Sequence, residues 1–148
     1  MKKIFLITLL IFPLGFAFTQ NIQLKTPVFP GCEEFETSKP LSLNCFSEKF
    51  SEAIAENLNT SFMDEIFHRQ NLKEVKTKIK FQVSIEGKIE NLSMVENGNQ
   101  TLFDQVRIAI SKINQKYIIE PAKNGGEPMN FNMNLPILYK VPKKANKK

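Results

Sequence analysis

In residues 75 to 85, side chains that suit a protein core alternate with polar side chains, and this pattern constrains the fold more than any other feature of the chain. The residues of the first kind, which we predict to be buried, are Val75, Thr77, Ile79, Phe81, Val83 and Ile85. A period of two predicts a β-strand with one buried face and one wet face, as in an antiparallel sheet covered on one side. Glu86-Gly87 predicts a turn, and residues 88–95 predict a partner strand with a bulge between Ile89 and Leu92.

Helical periodicity and a second alternating segment flank this hairpin. An apolar residue recurs every four positions from Phe46 to Leu58, which predicts a helix that begins near Asn44 or Ser47. A shorter helical pattern ends near Asn71, Thr101 is predicted to cap a second long helix, and residues 129–141 predict a last strand. The fold class is therefore α+β: a small three-stranded antiparallel sheet covered on one face by two helices.

The N-terminal segment has the features of an exported protein. Lys2 and Lys3 precede an apolar run, and Gly15-Phe16-Ala17 offers the small residues of a cleavage site. As a helix the run from Ile4 to Phe18 would be about 22 Å long, short of a ~30 Å bilayer core. We expect a cleaved signal peptide (1–17), a Pro-rich extended arm (18–40), a folded domain (41–142) and a basic disordered tail (143–148). The expected location is the periplasm, with no stable membrane span.

Cys32 and Cys45 are the two cysteines of the chain. In an exported protein they favour a structural disulfide, which would close a loop of about 14 residues. The alternatives are a redox pair or a pair of metal ligands. A redox pair usually has the spacing Cys-x-x-Cys, and zinc needs two further ligands, for which His68 is the only histidine. We therefore predict a Cys32–Cys45 disulfide, no metal and no cofactor.

No pattern of catalytic residues with a supporting context occurs in the sequence. There is no Gly-x-Ser-x-Gly, no phosphate-binding glycine loop and no His-Glu-x-x-His. Glu33, Glu34 and Glu36 fall on the Pro-rich arm, where no regular element is predicted to hold them as a carboxylate cluster. His68 lies in a polar stretch and is interpreted as a surface residue. We predict that the protein is not an enzyme and has no catalytic residues.

The net charge of +5 is concentrated at the two ends of the chain. Two lysines lie in the leader and four in the last six residues, so the segment between them is close to neutral. A nucleic-acid-binding domain carries its basic patch on the folded part, so no nucleic-acid partner is expected. The lysines between the inward residues, Lys76, Lys78 and Lys80, are interpreted as a solvated sheet face partly balanced by Glu90; an anionic partner is the alternative.

Five segments occur in an order and spacing that are typical of one known family. They are Pro27 to Glu33 with a second cysteine before a helix, Glu86-Gly87-Lys88-Ile89, the helix Leu102 to Ile113, residues 120–128 (Glu-Pro-Ala-Lys-Asn-Gly-Gly-Glu-Pro), and Leu135-Pro136-Ile137. Together they resemble the periplasmic C-terminal domain of TonB-like proteins. The resemblance covers residues 27–141. Energy-transducing members also carry a membrane helix and a long Pro-rich rod, and the sequence predicts neither here.

The resemblance implies a non-enzymatic binding module whose last strand pairs with an extended peptide of an outer-membrane TonB-dependent transporter. In such strand addition, backbone groups give affinity and alternate side chains give specificity. One alternative is an envelope structural or assembly protein that pairs with a second copy through the same edge, as a homodimer. The other is an anchored TonB-type energy transducer whose signal is not cleaved.

Pro136 predicts which side of the last strand is open. Proline cannot donate a ladder hydrogen bond, so within a sheet it belongs on an edge strand with its nitrogen facing outward. Amides two residues apart point the same way. The peptide-binding edge is therefore predicted at the amides of Asn130, Asn132 and Asn134, whereas those of Met133 and Leu135 point into the sheet. The alternative is that Pro136 only protects an edge that binds nothing.

Overall fold

A computed structural model describes residues 23–95 and 97–143 of the chain. The predicted signal peptide (1–17) and the last five residues of the predicted basic tail lie outside the described residues. The helices are α1 (Lys39–Asn57), α2 (Thr60–Arg69) and α3 (Gln100–Lys116), with a 3-10 turn at Glu33–Phe35. The strands are β1 (Leu24–Lys25), β2 (Glu74–Val83), β3 (Ile89–Met94), β4 (Ala122–Asn124), β5 (Glu127–Met129) and β6 (Phe131–Lys140).

The main sheet is antiparallel, with the strand order β3-β2-β6. Burial alternates along β2, so one face of the sheet carries the core and the other meets solvent. Two residues of β3, Asn91 and Leu92, lie opposite Phe81 alone, which confirms the predicted bulge. The strand ends at Val83, so the prediction that Ile85 is buried is wrong: Ile85 lies in the turn and is 55% exposed.

The helices cover the buried face of this sheet. α3 packs on β2 and β3, and α1 packs beside α3. The rings of Phe46 and Phe50 on α1 contact that of Phe81 on β2. The α+β fold class with a three-stranded antiparallel sheet is thereby confirmed. α2 corresponds to the shorter helical pattern predicted to end near Asn71, and a second three-stranded sheet, β1-β4-β5, adds to the predicted fold.

Two helix starts differ from the predictions. α1 begins at Lys39 rather than near Asn44 or Ser47, with Pro40 in its first turn. Proline fits there because the first amides of a helix need no intrahelical partner. α3 is capped by Asn99 rather than Thr101: the Asn99 side-chain oxygen accepts the amide of Leu102 at 2.9 Å.

The segment predicted to be an extended arm belongs to the core in its described part. β1 pairs with β4, and Val28 and Glu120 exchange two backbone hydrogen bonds of 3.0 Å each. Phe29 is only 3% exposed, and its ring contacts those of Phe46, Phe50 and Tyr117. The domain therefore needs these residues to complete its core.

Gly87 in the β2–β3 turn cannot be replaced without strain. Its φ is +73°, and a Cβ atom built on it would lie 2.1 Å from the carbonyl oxygen of Ile119. We expect Gly87→Ala to lower the free energy of unfolding by about 3 kcal/mol or more, because backbone strain and a backbone clash act together. Urea unfolding measures the loss. Gly126→Ala is the matched control, since Gly126 also has a positive φ but open space around it; it should cost about 1–2 kcal/mol. Equal losses would contradict the role of the Ile119 contact.

Candidate strand-addition edge

β6 is a ten-residue strand at one edge of the main sheet. Its inner side pairs with β2 along its whole length, from Phe131 opposite Val83 to Lys140 opposite Glu74. Within residues 23–95 and 97–143, no strand pairs with its outer side. An edge of this length presents a row of backbone donors and acceptors that another strand can use.

The hydrogen bonds of β2 determine which residues of β6 face outward. The carbonyl of Lys78 accepts the amide of Val95 at 2.8 Å, so even-numbered residues of β2 point toward β3 and odd-numbered ones toward β6. Their partners Met133 and Leu135 therefore point inward. The backbone groups of the even-numbered residues of β6 face the open side: Asn132, Asn134, Pro136, Leu138 and Lys140.

The three residues of the predicted binding edge do not occupy equivalent positions. Asn132 and Asn134 lie on β6, but Asn130 lies between β5 and β6. The side-chain oxygen of Asn130 accepts the amide of Ile85 at 3.0 Å, so Asn130 fastens the turn of the β2–β3 hairpin. Leu138 and Lys140, which the sequence reasoning did not single out, continue the outward series beyond Pro136. The alternation of residues 129–141 could have identified Leu138 and Lys140, because residues two apart on a strand have their backbone amides on the same side as Pro136 has its nitrogen. The peptide-binding role of these residues stays a prediction.

A cavity of about 220 Å³ lies between α1 and β6. On the helix side it is lined by Ser51, Ile54, Ala55, Leu58 and Thr60. On the sheet side it is lined by four consecutive residues, Pro136 to Tyr139. Side chains of consecutive strand residues point to opposite faces, so a cavity that touches all four runs along the edge of the strand. We call this cavity the edge groove.

The side chain of Tyr139 fixes the distal end of β6 to α2. The Tyr139 hydroxyl donates a hydrogen bond of 2.6 Å to the carboxylate of Asp64, and the Tyr139 ring packs near Phe67. Burial of the hydroxyl, together with the carboxylate of Asp64, raises the pKa of Tyr139. The phenol therefore stays protonated and remains a donor near neutral pH, which holds this part of the edge groove in place.

The solvent face of the main sheet carries a row of lysines next to β6. Lys76, Lys78 and Lys80 pair across the ladder with Leu138, Pro136 and Asn134. Lys76 lies 2.9 Å from Glu74, and this hydrogen bond lowers the pKa of Glu74. Lys78 and Lys80 make no ion pair within the described residues. The predicted balancing residue, Glu90, lies opposite Gln82.

Cys32 and Cys45 are joined by a disulfide, as predicted, with their Cα atoms 5.8 Å apart. Disulfides form and persist in oxidising compartments. In residues 23–95 and 97–143, no three or more His, Cys, Asp or Glu side chains are grouped so that they could hold a metal ion. No helix in that part of the chain is long and apolar enough to cross a membrane.

The chain matches no protein-family model, and no curated protein matches its sequence. The TonB-like resemblance therefore rests on the residues quoted above.

Proposed function

We propose that this protein is a non-enzymatic periplasmic binding module that captures an extended segment of an outer-membrane TonB-dependent transporter by strand addition to β6. The observation that carries the proposal is a ten-residue edge strand whose outer side pairs with no strand in the part of the chain that the structure describes, with an apolar groove beside it. The disulfide and the predicted signal peptide support the compartment.

Magnitudes explain why the groove matters as much as the backbone edge. A strand that pairs with β6 over about six residues makes about six ladder bonds, each with a net contribution of about 1 kcal/mol. Association costs about 4–15 kcal/mol in lost freedom of motion. Backbone pairing alone would therefore bind weakly. Apolar burial at about 25 cal/mol per Å² has to supply the remainder, and the edge groove offers the apolar surface for it.

Site-specific photo-crosslinking tests the proposal in intact cells. A photoreactive phenylalanine analogue at Asn134, an exposed residue of β6, should crosslink to an outer-membrane transporter. The same analogue at Arg107, which is exposed on α3, is the matched control and should not give that product. A crosslink from Asn134 to a second copy of this chain would instead support the self-associating envelope protein. Identical products from both positions would contradict a binding role for β6.

A further inference from the structure

We infer that the segment captured by β6 alternates aliphatic and acidic residues, with aliphatic side chains in the edge groove and carboxylates above Lys78 and Lys80. This inference rests on the proposed function and names the chemistry of its ligand. A strand has two faces with a period of two, so each face of the added strand meets a different surface. One surface is apolar, and the other is basic.

The aliphatic half of the pattern follows from the position of the edge groove. An added strand would lie about 4.8 Å outside β6, and alternate side chains would point to the helix side, beneath α1. There they would contact Ala55, which is exposed, and Leu58, which is partly buried. A cavity of about 150 Å³ can hold a benzene molecule. The groove, at about 220 Å³, is therefore large enough for a branched aliphatic side chain.

The acidic half follows from charge on the opposite face. The lysines of β2 lie two strand spacings, roughly 10 Å, from an added strand. An extended lysine and an extended glutamate together can cover this distance. The residues of β6 between them, Asn134 and Pro136, are uncharged and short, and they pair with Lys80 and Lys78. A carboxylate above this part of β6 would therefore approach the ammonium groups of Lys78 and Lys80, and neither Asn134 nor Pro136 would place a charge between them.

Three synthetic nine-residue peptides with blocked termini test both halves by fluorescence anisotropy. In the first, valine alternates with glutamate; in the second, valine alternates with lysine; in the third, serine alternates with glutamate. An exposed ion pair changes affinity by about 1.4- to 5-fold. Two such pairs, with Lys78 and Lys80, together change the affinity by about 2- to 25-fold, so the valine–glutamate peptide should bind about tenfold more tightly than the valine–lysine peptide. It should also bind at least tenfold more tightly than the serine–glutamate peptide, which buries no aliphatic group. Equal binding of all three would overturn the inference.

Two matched pairs of variants locate the two contacts. Ala55→Phe places bulk in the edge groove and should weaken the valine–glutamate peptide at least tenfold, while Glu56→Phe, on the next exposed position of α1, should not. The double variant Lys78→Glu with Lys80→Glu should reverse the preference between the glutamate and lysine peptides. Lys112→Glu, which changes a charge on α3, should leave that preference unchanged. Circular dichroism confirms that each variant is folded.

Asn132→Pro separates this inference from the proposed function. Binding that is indifferent to charge and to valine but lost in Asn132→Pro would overturn the inference and retain strand addition. Binding that follows the charge pattern and survives Asn132→Pro would overturn strand addition itself. If none of the peptides binds while Asn134 still crosslinks to a transporter, the inference alone fails.

Discussion

Asn132→Pro should abolish capture of an extended peptide and leave the domain folded. The amide of Asn132 faces the open side of β6, so the loss of this amide removes a ladder bond only to an added strand. Within the domain the substitution removes one long, exposed side-chain hydrogen bond, 3.4 Å from Gln82 Nε2 to Asn132 Oδ1. The pyrrolidine ring would also obstruct the close approach of that strand. The fold should tolerate the change because Pro136 already occupies an equivalent outward position four residues along the same strand. We expect at least a hundredfold loss of affinity, since a ladder bond is lost and its neighbours are displaced.

Met133→Pro is the matched control and should have the opposite result. Met133 pairs with Phe81 and points into the sheet, so proline there removes a ladder bond between β6 and the central strand. The loss, with the steric strain of the ring, should cost about 3 kcal/mol or more and unfold much of the protein.

Peptide binding by anisotropy and folding by circular dichroism are measured on both variants. Full binding by Asn132→Pro with an unchanged spectrum would place the site elsewhere. A folded Met133→Pro protein would contradict the assignment of inward and outward residues on β6. The two substitutions are adjacent and introduce the same residue. They differ in the direction of the backbone amide and in the side chain that is lost, which is exposed at Asn132 and packed against the core at Met133.

The main sheet could be predicted from the sequence because its signal is periodic. Alternation along residues 75–83 identified β2, and the slip in apolar spacing after Ile89 identified the bulge. Pro136 identified β6 as an edge strand, since only an edge accommodates a missing donor. The strand ends were less predictable. Ile85 continued the alternation in sequence, but the turn closed by Gly87 removes it from the sheet.

The arm and the edge groove could not be predicted in the same way. Pro27, Pro30 and Gly31 interrupt any periodic pattern, so nothing local indicated that Phe29 fills a gap among Phe46, Phe50 and Tyr117. The groove depends on where α1 lies relative to β6, which is a matter of tertiary packing. The position of Asn130 between β5 and β6 could not be predicted, because one alternating segment divides between two sheets at that residue.

Loss of the Cys32–Cys45 disulfide should lower the free energy of unfolding by about 3 kcal/mol, the value expected for a closed loop of about 14 residues. Both cysteines are buried, so a serine would add a polar group to the core. The double variant Cys32→Ala with Cys45→Ala avoids that cost. Reduced wild-type protein is the matched control because it keeps both sulfur atoms. Urea unfolding of the oxidised, reduced and alanine forms measures the effect. Equal stability of the oxidised and reduced forms would contradict a stabilising role.

The same bond should matter for stability and not for peptide affinity. It joins the segment before the 3-10 turn to the first half of α1, at Cys45. On the helix side the edge groove is lined by the second half of α1, from Ser51 to Ala55, and by the residues that follow the helix, Leu58 and Thr60. That half is held by the packing of Ile54 in the core, which reduction leaves in place. The fraction of reduced protein that remains folded should therefore bind the valine–glutamate peptide with the affinity of the oxidised protein. If the folded fraction of the reduced protein binds the peptide more weakly than the oxidised protein does, the disulfide also shapes the groove.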